Sequence, residues 1–536
     1  MKPLPKARFL VLKGTSAWLI CLLSLFMIGL FVVAPAIAVE PQYGGTLRVA
    51  MTPPRSLDPH METYQQTTMV TNNTNNRLLR WNRDLTGVEL DLAESWRRIN
   101  DLTYEFKIRK GVRFHDLPPV NGRELTSADV KYSIERMAGM YGKSSKFKHK
   151  YYFENRLTSI ETPDKYTIIF KTKEPYAPFI PYIASDWSAI VPKEAVEEFE
   201  DLRRKAIGTG PFMFKEFVRG SHITLVKNPN YFKKGLPYLD KIHIKIMRDP
   251  AAVMSAFLAK KLDAFGPYFF QVPTIKKEAP EAVILRRKSM HCWILRVPPC
   301  VKDYESLKPP FNDRRVRQAI SMAIDKKKLL KLAWGGAGTV QIGNVPNFPP
   351  YSLTEADQVE YNPEKAKKLL AEAGYPNGFE TDFITWNLPY MTMPAQVIKE
   401  MLKGVGIQAN LKTMEMAQYF NKIYRFNYEM ALHVMTAGYD PDDWLGHYFG
   451  SPEETTTYKW CNRKVWKLIV EQRRTLDKQK RTALIHEIQK ELMRDGATTF
   501  LYTQDRFNAH WPYVHRPYYY HPNDPLMGEL VWLEKH

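Results

Sequence analysis

The residues 436–449, TAGYDPDDWLGHYF, bring together the side chains of this sequence best suited to chemistry. Three carboxylates, Asp440, Asp442 and Asp443, lie within four residues, and His447 follows them. Such acids could bind a metal ion, act as paired catalytic acids, or cap a turn in the wall of a binding pocket. The residue types alone leave these three alternatives open.

The spacing of these acids argues against a calcium site. Asp440 and Asp442 have the spacing of two ligands in a calcium-binding loop, but Trp444 occupies the next ligand position and no glycine follows it. An exported hydrolase built on Asp440, Asp443 and His447 stays as a distant alternative, because no nucleophile and no complete metal-ligand set accompanies them.

Other catalytic motifs are incomplete. HEIQK begins at His486, but Lys490 replaces the second histidine of a zinc-protease helix. The glycine-rich WGGAGT that begins at Trp334 lacks the Lys-Ser/Thr pair of a phosphate-binding loop, and no G-x-S-x-G elbow occurs. We therefore expect no catalytic residue, no metal site and no cofactor.

The N-terminal region has the pattern of an export signal. Four basic residues within the first thirteen precede an apolar run over residues 17–39, and the first acidic residue is Glu40. The run contains Ala36-Ile37-Ala38, a small-x-small cleavage pattern, which predicts cleavage after Ala38 and a periplasmic protein. The run is also long enough to span a bilayer, so an uncleaved anchor at the outer face of the cytoplasmic membrane is the alternative.

The mature chain is basic. Without residues 1–38 it has 73 Lys and Arg against 57 Asp and Glu, a net charge of +16. The basic residues are dispersed, and the densest groups, 146–150 and 326–328, are short. Because no nucleic-acid-binding motif accompanies them, we expect solvated basic faces and no nucleic-acid partner, with work at the membrane surface as an alternative.

Hydrophobic periodicity predicts mixed α/β structure. TYEFKI (103–108) and KYTIIFKT (165–172) alternate apolar and polar residues, as half-buried strands do. LTSADVKYSIERM (125–137) predicts a helix with Thr126 as N-cap and Asp129 three residues further on.

Two further segments contain helices whose ends are indicated by capping residues. IHIKIMRDPAAVMSAFLAKKLDAFG (242–266) predicts a strand, a helix capped by Asp249, and a second strand, which together form a βαβ unit. YNPEKAKKLLAEAGY (361–375) predicts a helix that Asn362 caps and Gly374 ends. Such units over nearly 500 residues predict an α/β protein with more than one lobe.

Three cysteines remain after cleavage of the signal. Cys292 and Cys300 lie eight residues apart in HCWILRVPPC, and in an oxidising compartment they could form a local disulfide. That pairing would leave Cys461 without a partner.

Six motifs follow one another over some 400 residues of the chain. They are YGGTLRVA…SLDP, LAESWRRINDLTYEFKIRKGVRFHD…NGRELTSADVKYSIER, GTGPF…LVKNPNYF…PYLDKIHIKIMRDPAAVMSAFLAKKLD, FNDRRVRQAISMAIDKKKLL, YNPEKAKKLLAEAGYPNGF and YEMALHVMTAGYDPDDWL. Each motif alone is only moderately specific, but in this order they resemble the motifs of the family 5 solute-binding proteins of bacterial ABC transporters, the dipeptide and oligopeptide receptors.

The resemblance implies an α/β, two-lobed periplasmic-binding-protein clamshell of type II, with an extra insertion subdomain in the first lobe. Lobe closure would bury a polar solute between donors and acceptors from both sides. The expected boundaries are 1–38 for the signal peptide or anchor, 39–83 for the start of lobe I, 84–207 for the insertion subdomain, 208–287 for lobe I continued, 288–500 for lobe II, and 501–536 for the return to lobe I.

The resemblance also implies a function. We expect a monomeric, non-enzymatic receptor that binds a small peptide or other polar solute and delivers it to a membrane permease of an ABC importer. Relatives of the same fold serve oligosaccharides, opines and nickel chelates, and these stay as alternatives to the peptide.

One departure from the family concerns the opening stretch. In dipeptide receptors of this family, an aspartate three residues before an Asp-Pro pair binds the peptide's α-ammonium, and Ala437 occupies that position here. Either Asp440 or a neighbouring acid replaces the missing carboxylate, or the solute has no free amine there. We expect Ala437, Tyr439 and Asp440 to line the pocket, and the two following acids to serve the turn.

Other cleft candidates follow from the same matching. In TWNLPYMTM, Trp386 and Tyr390 could stack on a side chain or sugar ring, with core packing as the alternative. Trp293 is a further candidate, next to the unusual insertion RVPPCVKDYESLKPPF (296–311), which the resemblance places towards the hinge. GTGPF (208–212) is expected to need its glycines for a tight backbone path.

Overall fold

The structure is a computed structural model that describes residues 40–62, 64–82, 85–141, 147, 149–300, 303–346, 348–435, 438–451, 453, 458–515 and 527–535. The predicted signal peptide or anchor, residues 1–38, therefore lies outside the described residues, and so does Ala437. Within the described ranges, no helix combines the length and the apolar character that crossing a membrane requires.

Strands and helices alternate along the described chain. The strands are β1 Thr46–Met51, β2 Leu79–Trp81, β3 Val88–Leu90, β4 Ala93–Asn100, β5 Thr103–Ile108, β6 Leu157–Asp164, β7 Thr167–Thr172, β8 Phe212–Val218, β9 His222–Lys227, β10 Lys241–Ile246, β11 Ala264–Phe265, β12 Val283–Arg287, β13 Cys292–Arg296, β14 Gly338–Val340, β15 Phe379–Trp386, β16 Ile407–Met414, β17 Met430–Met435, β18 Thr498–Gln504, β19 Arg506–His510, β20 Val514–His515 and β21 Trp532–Leu533. The α-helices are α1 Gln65–Thr74, α2 Ser127–Met137, α3 Phe179–Ile183, α4 Lys193–Phe199, α5 Pro250–Leu258, α6 Val272–Glu278, α7 Arg314–Met322, α8 Lys326–Trp334, α9 Pro363–Glu372, α10 Pro389–Lys403, α11 Met416–Tyr424, α12 Pro441–Phe449, α13 Arg463–Arg474 and α14 Lys478–Asp495.

Four larger sheets organise these elements. Their strand orders are β1-β10-β9-β8, β4-β5-β7-β6, β11-β19-β12 and β14-β18-β13-β17-β15-β16. Strand β1 pairs in parallel with β10, so the start of the described chain meets a strand almost 200 residues later. Strand β19 then brings the C-terminal part of the chain back between β11 and β12. The intervening segments form the other two sheets.

Buried apolar side chains form three separate clusters. Core A draws on residues 47–70, 206–279 and 509–533, core B on residues 78–207 with Tyr439, and core C on residues 290–502. Core A is thus discontinuous in sequence, and core B, apart from Ile207 and Tyr439, lies within the gap between residues 70 and 206. This arrangement agrees with a two-lobed α/β clamshell whose first lobe carries an insertion.

Several sequence predictions are confirmed. Strand β5 alternates as predicted, and α2 begins after a capping box formed by Thr126 and Asp129. Helix α9 is capped by Asn362, whose side chain accepts a hydrogen bond from the Lys365 amide, and Gly374 follows its end with a φ of +93°. In each case residues within one helical turn fix the boundary, so local sequence suffices.

The predicted βαβ unit is wrong in its pairing. The strand, helix and strand occur in the predicted order as β10, α5 and β11, and Asp249 caps the helix. However, β10 lies in the β1 sheet, whereas β11 pairs antiparallel with β19. The reason is that β19, which arrives from the distant C-terminal region, supplies the hydrogen-bond partner that periodicity cannot show.

The suggested Cys292–Cys300 disulfide is also wrong. Cys300 is bonded to Cys461, 161 residues away, and Cys292 is a buried free thiol in β13. Cys292 lies within the central sheet of core C, where its backbone is committed to β17 and β18. The bond joins the unusual insertion to the segment before α13.

The glycines of GTGPF are confirmed as a close-approach site. A Cβ added at Gly208 would lie 2.3 Å from the carbonyl oxygen of Thr74, and one at Gly210 would lie 2.5 Å from the carbonyl carbon of the same residue. The Gly210 amide donates to that carbonyl at 2.9 Å. The chain passes so close to the end of α1 that no side chain fits.

Candidate functional site

The turn after β17 sets the position of the acids. Asp440 is the N-cap of α12, and its side chain accepts a hydrogen bond from the Asp442 amide at 2.9 Å. Asp443 completes a capping box by accepting from the Asp440 amide at 3.3 Å. Of the three alternatives left open for these acids, the structure shows the capping of a turn for Asp440 and Asp443.

The Asp440 carboxylate also forms a buried ion pair. Arg481 of α14 donates from Nη1 to Oδ2 at 2.8 Å and from Nη2 to Oδ1 at 2.5 Å. Both side chains are at most 5% exposed. A bidentate pair of this kind compensates the carboxylate charge within the protein.

Asp442 faces a different arginine. Its Oδ1 accepts from Arg473 Nε at 2.7 Å and from Gln472 Nε2 at 2.7 Å, both on α13. Its Oδ2 accepts from the Tyr182 hydroxyl at 3.2 Å. Because Tyr182 belongs to core B, this buried carboxylate connects the insertion region to the helices of the 441–495 segment.

Asp443 has no cationic hydrogen-bond donor among its described contacts. Its Oδ2 accepts from the Tyr439 amide at 2.8 Å, and its Oδ1 accepts from the Tyr151 hydroxyl at 2.8 Å. Burial raises the pKa of Asp443 to about 7, against the lowering effect of the Tyr151 hydrogen bond. The carboxylate packs so closely on Gly438 that a Cβ there would lie 1.9 Å from Oδ2.

Tyr439 and His447 lie on the insertion side of this turn. Tyr439 is buried in core B and stacks on Trp81 with ring centroids 6.2 Å apart. His447 stacks on Tyr151 at 4.6 Å, and burial lowers the pKa of His447 to about 4. At neutral pH this imidazole is therefore uncharged.

The other three candidates meet elsewhere, against core C. Tyr390 lies with its ring centroid 6.4 Å from that of Trp293 and 6.5 Å from that of Trp386, both edge to face. Trp293 is buried in β13, whereas Tyr390, in the first turn of α10, is half-buried. The structure thus brings Trp293, Trp386 and Tyr390 together and keeps Tyr439 apart from them.

A fourth aromatic residue of this group escaped the sequence reasoning. Tyr268, in the segment after β11, stacks on Tyr390 with centroids 5.9 Å apart and planes 19° from parallel. Strand β11 contributes to core A and α10 to core C, so this stack joins a segment that leaves core A to a helix of core C. The run of three aromatic residues 268–270 after a short strand was the available signal.

The sequence contains no comparable signal for the residues that bind the three carboxylates of the turn. Arg473, Arg481, Tyr151 and Tyr182 lie between 30 and almost 300 residues from the turn. Their side chains reach it only because the insertion region and the helices α13 and α14 pack around α12. Nothing in local spacing indicates such contacts.

Ala437, the position of the missing aspartate, lies outside the described residues, and contact of the six candidate residues with a solute stays a prediction. Across the described ranges, no group of three or more His, Cys, Asp and Glu side chains is arranged to bind a metal ion.

Comparisons with known proteins agree on one family. The family model for bacterial extracellular solute-binding proteins, family 5 Middle, matches residues 87–457. Heme-binding protein A of Haemophilus influenzae is 31% identical over 404 residues, which cover 70% of this chain and 71% of that protein. The oligopeptide-binding protein AppA of Bacillus subtilis is 28% identical and covers 92% of this chain and 93% of its own length.

A solved structure gives the same result for the fold. The periplasmic binding protein DppA of Helicobacter pylori, in complex with the peptide STSA, superposes with a TM-score of 0.78 at 26% identity. The superposition covers 92% of this chain and 99% of that one. With the two-lobed α/β architecture and the matched motifs, these similarities show that the chain belongs to the bacterial extracellular solute-binding protein family 5.

Proposed function

We propose that this protein is the extracytoplasmic receptor of an ABC importer, which closes its lobes over a small solute and delivers it to a membrane permease. The observation that carries the proposal is the stack of Tyr268 on Tyr390, since it joins the segment that follows strand β11 of core A to helix α10 of core C. A solute between the lobes would be contacted from both sides. Peptides are the first class to test, because AppA and DppA are described as peptide binders.

The domain boundaries predicted from the sequence belong to this proposal. The limits of core B, residues 78–207, support an insertion subdomain over 84–207, and core C, over 290–502, supports a second lobe over 288–500. The return of β19 to β11 and β12 supports a C-terminal segment, 501–536, that completes the first lobe.

We further propose that the protein is periplasmic, monomeric and not catalytic. The basic, apolar and small-residue pattern of residues 1–38 supports export, and the family is extracellular. Against a hydrolase, Asp440 is paired with Arg481 and Asp442 with Arg473, so these two acids are already engaged within the fold. Analysis of bound solute after long incubation tests for turnover.

The experiment that tests the receptor role is thermal unfolding of the purified mature protein against a panel of solutes. The panel contains di- to pentapeptides with free and acetylated amines, heme, opines, cello- and chito-oligosaccharides, and nickel-histidine. A solute at one hundred times its Kd stabilises a protein by about 2.7 kcal/mol, a shift of a few degrees. If no solute of the panel shifts the transition, the receptor role for these classes is contradicted.

A further inference from the structure

The carboxylates of the turn before α12 contact the insertion region, residues 84–207, as well as their own lobe. Given the proposed receptor role, on which this inference rests, we propose that Asp442 and Asp443 form an interlobe latch. The latch binds the hydroxyl groups of Tyr151 and Tyr182 and holds the insertion region against α12 and α13 while the lobes are closed. The two acids are thereby positioning residues for lobe closure.

Within its own lobe, each of the two acids uses only one carboxylate oxygen. Oδ1 of Asp442 accepts from Arg473 Nε and from Gln472 Nε2, both at 2.7 Å and both on α13. Oδ2 of Asp443 accepts from two backbone amides of its own turn, at 2.8 and 3.3 Å. One oxygen therefore fixes each acid in the turn and leaves the other oxygen for a different partner.

The second oxygen of each acid faces the insertion region. Oδ2 of Asp442 accepts from the Tyr182 hydroxyl at 3.2 Å, and Oδ1 of Asp443 accepts from the Tyr151 hydroxyl at 2.8 Å. Asp440 differs, because both of its oxygens accept from one arginine of α14. Two of the three acids thus connect two parts of the chain that belong to different lobes.

The insertion region holds the two hydroxyl groups in fixed positions. The Tyr182 ring stacks on that of Tyr152, with centroids 3.7 Å apart and planes 5° from parallel. Tyr151 contacts the Tyr152 ring edge to face at 4.8 Å and stacks on His447 of α12 at 4.6 Å. Because packing orders both phenol rings, little side-chain freedom is lost when their hydroxyl groups meet the carboxylates.

The surrounding contacts between the insertion region and α13 are also polar. The Ala177 amide donates to the Arg473 carbonyl at 2.7 Å, and Glu174 forms an ion pair with Arg474 at 2.5 Å. Water can replace each of these hydrogen bonds when the surfaces separate, so their net contribution is modest. A latch that has to release its partner in every transport cycle needs contacts of this kind.

The connections between the lobes allow such a movement. Strand β12 pairs with β19 in one sheet, and β13 pairs with β18 in another. Residues 288–291 join β12 to β13, and Asp505 joins β18 to β19. Two short adjacent segments of this kind are typical of a hinge. The tyrosines precede both segments in sequence and the acids lie between them, so a rotation there changes the separation of the two groups.

The test measures the separation of the lobes by pulsed electron paramagnetic resonance on the mature protein without added solute. Spin labels are attached at Lys165→Cys, between β6 and β7, and at Lys467→Cys, on α13, both of which are exposed positions. Cys292→Ala removes the free thiol, and the native disulfide stays in place. We expect one population of molecules at the label separation of the structure and a second one at a longer separation.

Removal of the two hydroxyl groups tests the latch itself. Tyr151→Phe combined with Tyr182→Phe keeps both rings and should lower the ratio of the short to the long population about 4- to 100-fold, since one hydrogen bond accounts for about 2- to 10-fold. The matched control is Tyr176→Phe. The Tyr176 hydroxyl donates to the Tyr152 carbonyl at 3.0 Å within the insertion region, so the control should keep the distances of the parent.

Solute binding gives a second readout. Every member of the thermal panel that binds the parent should bind the double variant more weakly, by the factor that the loss of the closed population predicts. Binding to Tyr176→Phe should equal binding to the parent.

Three outcomes of the distance measurement would overturn the inference. These are a double variant with the distances of the parent, a Tyr176→Phe control that shifts as far as the double variant, and a parent without the short separation. Failure of every solute in the panel would instead contradict the receptor role. The distances are measured without a solute, so the two failures are distinguishable.

Discussion

Arg481 and Asp440 form a buried ion pair that connects the first turn of α14 to the N-cap of α12. Two hydrogen bonds of 2.8 and 2.5 Å join the guanidinium to the carboxylate, across 41 residues of sequence. The same carboxylate caps α12 by accepting from the Asp442 amide. Sequence analysis considered Asp440 as a replacement for the ligand-binding aspartate that is missing at Ala437. In the structure, Asp440 instead holds the turn in place through Arg481 and the Asp442 amide.

This ion pair predicts that the losses of unfolding free energy in its single variants are large and not additive. Arg481→Gln should lower the free energy of unfolding by about 3–5 kcal/mol, because it leaves a buried carboxylate without its charged partner. Asp440→Asn with Arg481→Gln should cost less than the sum of the two single changes. Denaturant unfolding measures all three.

The control for this series is Glu364→Gln, which breaks a pair with Lys367 whose side chains are 80% and 49% exposed. An exposed pair of this kind contributes at most about 1 kcal/mol. A loss for Arg481→Gln no larger than that of the control would show that the ion pair does not stabilise the fold.

The close approach at Gly210 predicts a second difference. A methyl group at Gly210 would lie 2.5 Å from the carbonyl carbon of Thr74 and 2.7 Å from the carbonyl oxygen of Asn73, so the backbone must shift. Gly210→Ala should therefore lower the free energy of unfolding by about 1–3 kcal/mol. Gly87→Ala, where the nearest atom is 4.0 Å away, is the matched control and should stay within about 1 kcal/mol of the parent in the same assay.

The sequence allowed prediction of structure wherever the cause is local. Thr126 and Asn362 cap the N-termini of α2 and α9 as the sequence predicted, because capping depends on atoms within one helical turn. The pairing of β11 with β19 and the bond between Cys300 and Cys461 depend on segments more than 150 residues apart. Periodicity and cysteine spacing carry no information about such contacts.

The candidate site shows the same division. Trp293, Trp386 and Tyr390 were predicted as cleft residues because they are aromatic and lie in segments that match the family motifs. The structure places their rings next to one another. Tyr268 completes that group from the segment after β11; the aromatic run 268–270 was a sequence signal, but it did not indicate Tyr390 as the partner. The roles of Asp440 and Asp442 depend on arginines from α13 and α14, so sequence alone left their function open.

Asp443 predicts a pH-dependent stability. Its pKa in the folded protein is raised from 3.8 to about 7, mainly by burial, so folding favours the protonated acid. The stabilising contribution of the protonated form is fully present below pH 3.8 and is lost as the pH rises through about 7. From pH 4 to pH 8 the parent should therefore lose stability relative to Asp443→Asn, by on the order of 4 kcal/mol.

Denaturant unfolding at pH 4 to 8 measures this difference. Asp101→Asn, at a side chain that is 68% exposed, is the control and should follow the parent at every pH. Tyr151→Phe removes a hydrogen bond that lowers the pKa of Asp443, so it should move the transition to higher pH. A difference between parent and Asp443→Asn that does not change with pH would contradict the assignment.

The Cys300–Cys461 disulfide predicts both a peptide map and a stability effect. Non-reducing digestion of the exported protein should yield one linked peptide pair that contains Cys300 and Cys461, with Cys292 as a thiol that reacts only after unfolding. Because the bond closes a loop with a sequence separation of 161 residues, Cys300→Ser should lower the free energy of unfolding by about 2–5 kcal/mol. Cys292→Ala, which removes a buried thiol and no crosslink, is the control and should retain the linked pair. Recovery of a Cys292–Cys300 peptide from the parent would contradict the structure, because the crosslink would then join the insertion segment to β13 instead of to the residues before α13.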